Sequence, residues 1–295
     1  MTVKTAPMAF TISLAVFVAV FLWFANKADR PIQPLAQETV FERVLRTKTR
    51  RCGYVSIPLI SLKDPKTGQF SGVSYDIVNA MGRFLGLKIE WAVETNFSTM
   101  LEELSLGRVD AICHGDFPKE ATVARAEFTD PFHYLGFAAY SRADDMRFDG
   151  SLKSLNEPNV RVAVLDGEVS NVIAKTQLPQ AQRVSVPQNA SISEMILQVT
   201  TKKADIAIVP VPVAKLFLKY NPDSIRSAYG EKPIRVYPIS LVVSHGETNL
   251  LNLLNKAVRE VTLNGEADAA LHRYFSPDDM FYPVASPYAQ LSAEQ

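Results

Sequence analysis

The sequence predicts an α/β protein of two Rossmann-like lobes joined by two hinge strands, preceded by an apolar N-terminal helix. Three observations predict it. Strand and helix patterns alternate from Arg51 to His114 and begin again at Arg161, the grammar of parallel sheets. Two long β-rich runs, FHYLGFAAYSR at 132–142 and IRVYPISLVVS at 234–244, follow the alternating blocks and suit crossings between lobes. An uncharged run of 18 residues, Met8–Ala25, lies near the start of the chain.

As a helix that run is roughly 27 Å long, about the depth of a hydrocarbon core. Lys4 precedes it; Lys27 and Arg30 follow. Residues 1–26 therefore read as a signal anchor or a signal peptide, and WFANKADRP matches the A-x-A-like cleavage pattern poorly. In either case the rest of the chain is expected to be exported, tethered to the membrane if the helix is retained. KADRPIQPLAQ at 27–37 has two prolines and reads as a linker.

From Glu38 to about Lys48 a short helix delivers the chain to the strand RCGYVSI. KDPKTGQFSG carries turn residues. A helix follows, with Ser74 as expected N-cap, Ile77, Met81, Phe84 and Leu85 at helical spacing, and Gly86 as its stop. KIEWAVE alternates as a strand, and a helix carrying Phe97, Met100, Leu101 and Leu104 leads to VDAICHG. In the second block RVAVLDG, RVSVP and ADIAIVP are strands. A helix after Val169 and the helix SISEMILQVTTKK separate them. Two terminal helices complete the pattern, the first with Leu250, Leu253, Leu254 and Val258 on its buried stripe. The expected division is lobe 1 at 38–138 and 239–280, lobe 2 at 139–238, and a surface tail at 281–295.

An apolar fraction of 47% and a charged fraction of 21% are those of a globular chain with a core. Lys plus Arg and Asp plus Glu each number 31, so no net field favours nucleic acid. The two cysteines, Cys52 and Cys113, both fall in the exported part, where an oxidising compartment favours a disulfide. Two buried free thiols are the alternative.

DAICHGDFP at 110–118 sets a thiol, an imidazole and a carboxylate within four positions. In strand alternation Cys113 and His114 point to opposite faces, which argues against a Cys–His nucleophile. His114, His133, His245 and His272 are scattered, with no HExxH pattern, so no metal is expected. The chain has no P-loop, G-x-G-x-x-G or G-x-S-x-G, and no cofactor is expected.

GQFSGVSYDIVNAM, LEELSLGRVDAI and AEFTDPF, in that order, closely resemble the family 3 extracellular solute-binding proteins, the periplasmic receptors of polar amino-acid ABC transporters. VAVLDG and NLLNKAVREVTLNGEADAALHRYF resemble the family's second lobe and terminal helices. The resemblance runs from about Glu38 to Phe275. It implies a type II periplasmic-binding-protein fold, closure of two lobes on a small polar solute, a monomer, and a permease as partner. It implies neither cofactor nor covalent chemistry.

The chain departs from that family where the ligand is held. The resemblance implies an Arg six residues before Phe128 for an α-carboxylate, and Thr122 stands there, with Arg125 the nearest guanidinium. It implies an acid for the ammonium at the end of ADIAIVP, where Pro210 or its neighbour stands, and a Ser or Thr after Gly167, where Glu168 stands. The expected site has Ser56, Leu59 and Phe70 as one wall and His114, Asp116 and Phe117 as floor. Arg125 supplies the positive group, and Asp166 with Glu168 close from lobe 2. This set leans toward a zwitterionic or cationic solute. Two alternatives use the same scaffold: a membrane-tethered sensor or adaptor, and a periplasmic enzyme of the cyclohexadienyl dehydratase type with a buried Glu as proton donor.

Overall fold

The computed structural model describes residues 38–285 apart from Ala121 and Gln188. The chain divides into Met1–Thr39 and Val40–Gln295, and the fold described is that of the second unit. The expected anchor and linker over 1–37, and the tail beyond 285, lie outside the described residues. Among the described residues no helix is long and apolar enough to cross a membrane.

After helix α1 (Val40–Thr47), the first α/β half holds β1 (Thr49–Tyr54), β4 (Lys88–Glu94) and β5 (Ala111–Asp116), parallel in the order β4-β1-β5. A small hairpin, β2 (Leu62–Lys63) with β3 (Phe70–Ser71), and helices α2 (Val73–Leu85) and α3 (Met100–Ser105) fill the connections. Helix α2 buries Val73, Ile77, Val78 and Met81. It starts before Ser74, after Gly72 at φ 122°, where a Cβ would meet the Ile60 carbonyl at 2.4 Å. Ser74 is therefore not the N-cap: it is buried inside the first turn, and its hydroxyl donates to the His114 carbonyl at 2.6 Å.

The second half runs β8 (Arg161–Leu165), β9 (Gln182–Val186) and β10 (Ile206–Pro210), with α5 (Val169–Gln177), α6 (Ile192–Thr200) and α7 (Val211–Tyr220) between and after them. A single turn, α4 (Leu152–Leu155), precedes β8. The strand order is β10-β8-β9 in parallel. Ser191 starts α6 with a reciprocal capping box to Glu194, as its Ser-x-x-Glu spacing allows.

The halves are joined by β7 (His133–Arg142) and β12 (Arg235–Ser244). Residues Arg235–Ile239 of β12 pair antiparallel with β7. From the next residue the same strand pairs with β5, through Ser240 and Val242, and with β6 (Ala126–Phe128) through Val242–Ser244. Strand β7 in turn pairs with β10 and with β11 (Ile225–Ser227). One continuous hydrogen-bonded path thus passes from β4 to β9.

Helices α8 (Thr248–Leu263) and α9 (Glu266–Tyr274) close the first half. Leu250, Leu254, Ala257, Val258 and Val261 are the buried positions of α8, while Leu253 is only half-buried. The chain end differs from expectation. A 3-10 turn (Pro277–Asp279) is followed by Met280 at φ 53°, and Phe281–Pro283 then form edge strand β13 on β7. Gly136 permits this: its N–H donates to the Met280 carbonyl at 2.7 Å, and a Cβ there would approach that oxygen to 2.8 Å.

Cys52 and Cys113 form a disulfide, with Cα atoms 5.5 Å apart and 61 residues between them in sequence. Adjacent parallel pairing of β1 and β5 brings Cys52 opposite Ala111, on the same face as Cys113. Closing a loop of this length is worth about 4 kcal/mol in the chain-entropy account. The double variant C52S/C113S is expected to lower the thermal midpoint by roughly 8–16 °C, as a calorimetric scan would show. An unchanged midpoint would place no stability in the bond.

Candidate functional site

The C-terminal ends of β1, β5, β8 and β10 converge, as do α/β strand ends that bind small molecules. They enclose a cavity of about 40 Å³ lined from both halves. Its walls are mostly apolar: Ile57, Ile60, Phe97, Phe117, Phe137 and Ile239 among them. The polar lining is His114, Asp116, His133 and Glu168.

Strand β5 delivers two of these because His114 and Asp116, two apart, share one face, with Gly115 between them. Its φ of 92° turns the backbone, and a Cβ there would strike the Ile239 side chain at 2.3 Å. His114 accepts a hydrogen bond from the Val55 N–H at Nδ1, 3.3 Å away, so the neutral ring carries its proton on Nε2. That Nε2 is buried and has no hydrogen-bond partner, and neither has either ring nitrogen of His133. Burial pulls both imidazoles down to a pKa of about 3, for His114 with the help of the nearby Lys119 ammonium.

Lys119 is the cation of this region. Its side chain is buried, and Nζ donates to Asp116 Oδ1 at 2.9 Å and to the Gly167 carbonyl at 3.0 Å. Asp116 belongs to the first half and Gly167 to the β8–α5 turn of the second, so one ammonium ties the halves together. Its Nζ also lies 5.0 Å from the centre of the Phe117 ring. Burial pushes the Asp116 carboxyl upward, and the Lys119 ammonium opposes that shift.

Glu168 is the N-cap of α5 and accepts the Ser170 N–H at 2.6 Å. Burial pushes its carboxyl up to about 7, against that hydrogen bond and the Lys119 charge. Close approach of the halves here needs Gly167 itself: at φ 78°, a Cβ would come within 2.8 Å of the Phe97 carbonyl.

Of the residues singled out in the sequence, His114, Asp116, Phe117 and Glu168 come together on the cavity. Ser56, Leu59, Phe70, Arg125 and Asp166 are not among its lining residues. Ser56 accepts the Lys63 N–H at 3.4 Å, and Leu59 sits in a turn at φ 67°. Phe70 stacks on Tyr75 within an aromatic group that includes Tyr54 and Trp91. Asp166 accepts from Asn171 at 3.3 Å. Arg125 is exposed. The Thr122 N–H donates to the Lys119 carbonyl and the Arg125 N–H to the Thr122 carbonyl, and Thr122 is buried. Lys119 and His133 were missed. The available signal was a lysine three residues beyond Asp116, in the loop leaving a cleft strand. Among the described residues no group of three or more His, Cys, Asp and Glu could hold a metal ion.

The fold and cleft define a bilobed α/β protein of the periplasmic-binding type. Residues 54–277 match the bacterial extracellular solute-binding proteins, family 3, and the chain belongs to that family. It is 24% identical over 242 residues to a probable amino-acid ABC transporter-binding protein of Haemophilus influenzae, covering 81% of this chain and 89% of that protein. Among solved structures, an ancestral amino acid-binding protein described as a precursor of cyclohexadienyl dehydratase superposes with a TM-score of 0.69. It shares 25% identity, over 81% of this chain and all of that one. An ancestral arginine-binding protein bound to arginine gives a TM-score of 0.66 at 23% identity, over 78% of this chain and 99% of the other.

The buried groups set opposite pH dependences. A histidine held at about 3 in the fold and near 6.5 when unfolded withdraws stability as pH falls from about 6.5 to 3. A glutamate held at about 7 instead of 4.5 withdraws stability as pH rises between those values. Relative to wild type, H133F is expected to gain thermal stability as pH is lowered from 6.5 towards 4. E168Q is expected to gain it as pH is raised from 5 to 7.5. Midpoints that run parallel to wild type over these ranges would contradict the assignment.

Proposed function

We propose that this protein is a periplasmic receptor that encloses a small polar solute between its halves and presents it to an ABC permease. One observation carries the reading: charged and polar groups from both halves converge on one buried cavity at the strand ends. The family membership supports it, as does the amino-acid transport role named for the Haemophilus influenzae relative. In this reading residues 38–138 with 239–280 form lobe 1, residues 139–238 form lobe 2, and β7 and β12 carry the hinge rotation. The receptor acts as a monomer, and the N-terminal helix holds it at the inner membrane if it is retained.

The solute is an amino acid or a related compound, gripped without the guanidinium that Arg125 would have supplied. His114, Asp116 and Phe117 meet it from lobe 1 and Glu168 from lobe 2. Thermal denaturation against amino acids, amines and organic acids tests this, since a solute at 100 times its Kd adds about 2.7 kcal/mol. The expected result is an upward shift with at least one compound in wild type and none in G167V, whose side chain blocks approach to Phe97. No shift across the panel would contradict the receptor reading and favour a sensor or adaptor.

One observation favours a second reading: Glu168 is a buried carboxyl on the cavity wall, poised near neutrality. Turnover of a cyclohexadienyl acid, abolished in E168Q, would assign a dehydratase activity instead.

A further inference from the structure

Lys119 does not itself line the cavity, but its ammonium is bonded to Asp116, which does, and to the Gly167 carbonyl next to Glu168. The cavity that Asp116 and Glu168 line measures about 40 Å³. The groups that hold the ammonium are the Asp116 carboxylate and the Gly167 carbonyl, and the Glu168 carboxyl feels its charge. Both partners are oxygen acceptors, one from each half, and such a set is complementary to a cation. Among the described residues lining the cavity there is no arginine, and Lys119 is the one cation that reaches its polar groups.

Resting on the receptor reading, we propose that Lys119 is a built-in occupant of the cleft: its tethered ammonium bridges Asp116 and the Gly167 carbonyl, and a cationic solute with an apolar body displaces it. The tether permits this. Lys119 sits in the loop after β5, in a turn closed by its own contacts with Thr122. Its four-carbon stem has the freedom to swing out to water. The solute's charged head then takes the two oxygens, and its body lies against Phe97, Phe117, Leu135 and Phe137. The Nε2–H of His114 and the two nitrogens of His133 remain for a neutral polar group on that body. The specificity this assigns is for amines and guanidines over carboxylates, because an anion would meet Asp116 with its counter-cation already committed.

Truncation with chemical rescue tests the idea. K119A opens the space of the stem and leaves Asp116 buried without its partner, so its thermal midpoint should fall. n-Butylammonium should then raise the K119A midpoint by several degrees more than it raises wild type, while butyrate should not. K119M refills the stem's space and D116N/K119A removes the acceptor, so both should be refractory to n-butylammonium. Rescue by butyrate alone, or by neither ion, would overturn the proposal.

A second readout uses the wild-type protein and guards against misfolding of a variant. Acetylation of Lys119, followed by peptide mass spectrometry, should be slow and should accelerate at least tenfold with n-butylguanidinium. A Lys119 that instead grips the solute would become better protected by a bound carboxylate, which would also overturn it. A failed solute panel with intact rescue would overturn the receptor reading and leave the built-in occupant standing.

Discussion

An ammonium ion held out of water ties the two α/β halves of this structure together. Taking such a charge from water costs several kcal/mol, and it is offset only where oxygen partners surround it. Lys119 finds one partner in each half. The closed arrangement and the buried charge therefore depend on each other: separating the halves would take the Gly167 carbonyl away. The neutrality of His114 and His133, and the upward shifts of Asp116 and Glu168, follow from the same exclusion of water.

The frame that presents these groups is set by hydrogen bonding along β12. Its first five residues belong to the β7 ladder, and within two more it joins β5, so that the strand is shared by both sheets. Ile239, at the changeover, fills the space left by Gly115. His114 and Asp116, on either side of Gly115, line the cavity here. The Cys52–Cys113 bond ties β1 to β5 a few residues before those strands reach it.

Much of this was legible in the sequence, for local reasons. Strand and helix periodicity placed the sheet strands of both halves, and the oxidising compartment favoured the disulfide that formed. His114, Asp116, Phe117 and Glu168 were visible because they sit at or just beyond ends of apolar strands. Lys119 was not, since its burial depends on an acceptor 48 positions away that no local pattern announces. His133 read as part of a crossing strand, and only the pairing of β7 with β12 brings it beside the cavity. Arg125 is near Thr122 in sequence, but it is exposed and is not among the residues lining the cavity. Phe70 likewise found an aromatic cluster of its own rather than the cleft.

The most direct test of this account is an inter-lobe distance in the solute-free protein. Phe84 and Tyr220, 50% and 73% exposed, offer label sites on the two halves. Spin labels attached there by a chemistry that spares the disulfide would report the separation by pulsed electron resonance. The account predicts one narrow distance in wild type that does not shorten when a cationic solute is added, and a longer, broader distribution in K119A. A long, broad distribution in solute-free wild type, shortening only with solute and unchanged by K119A, would contradict it.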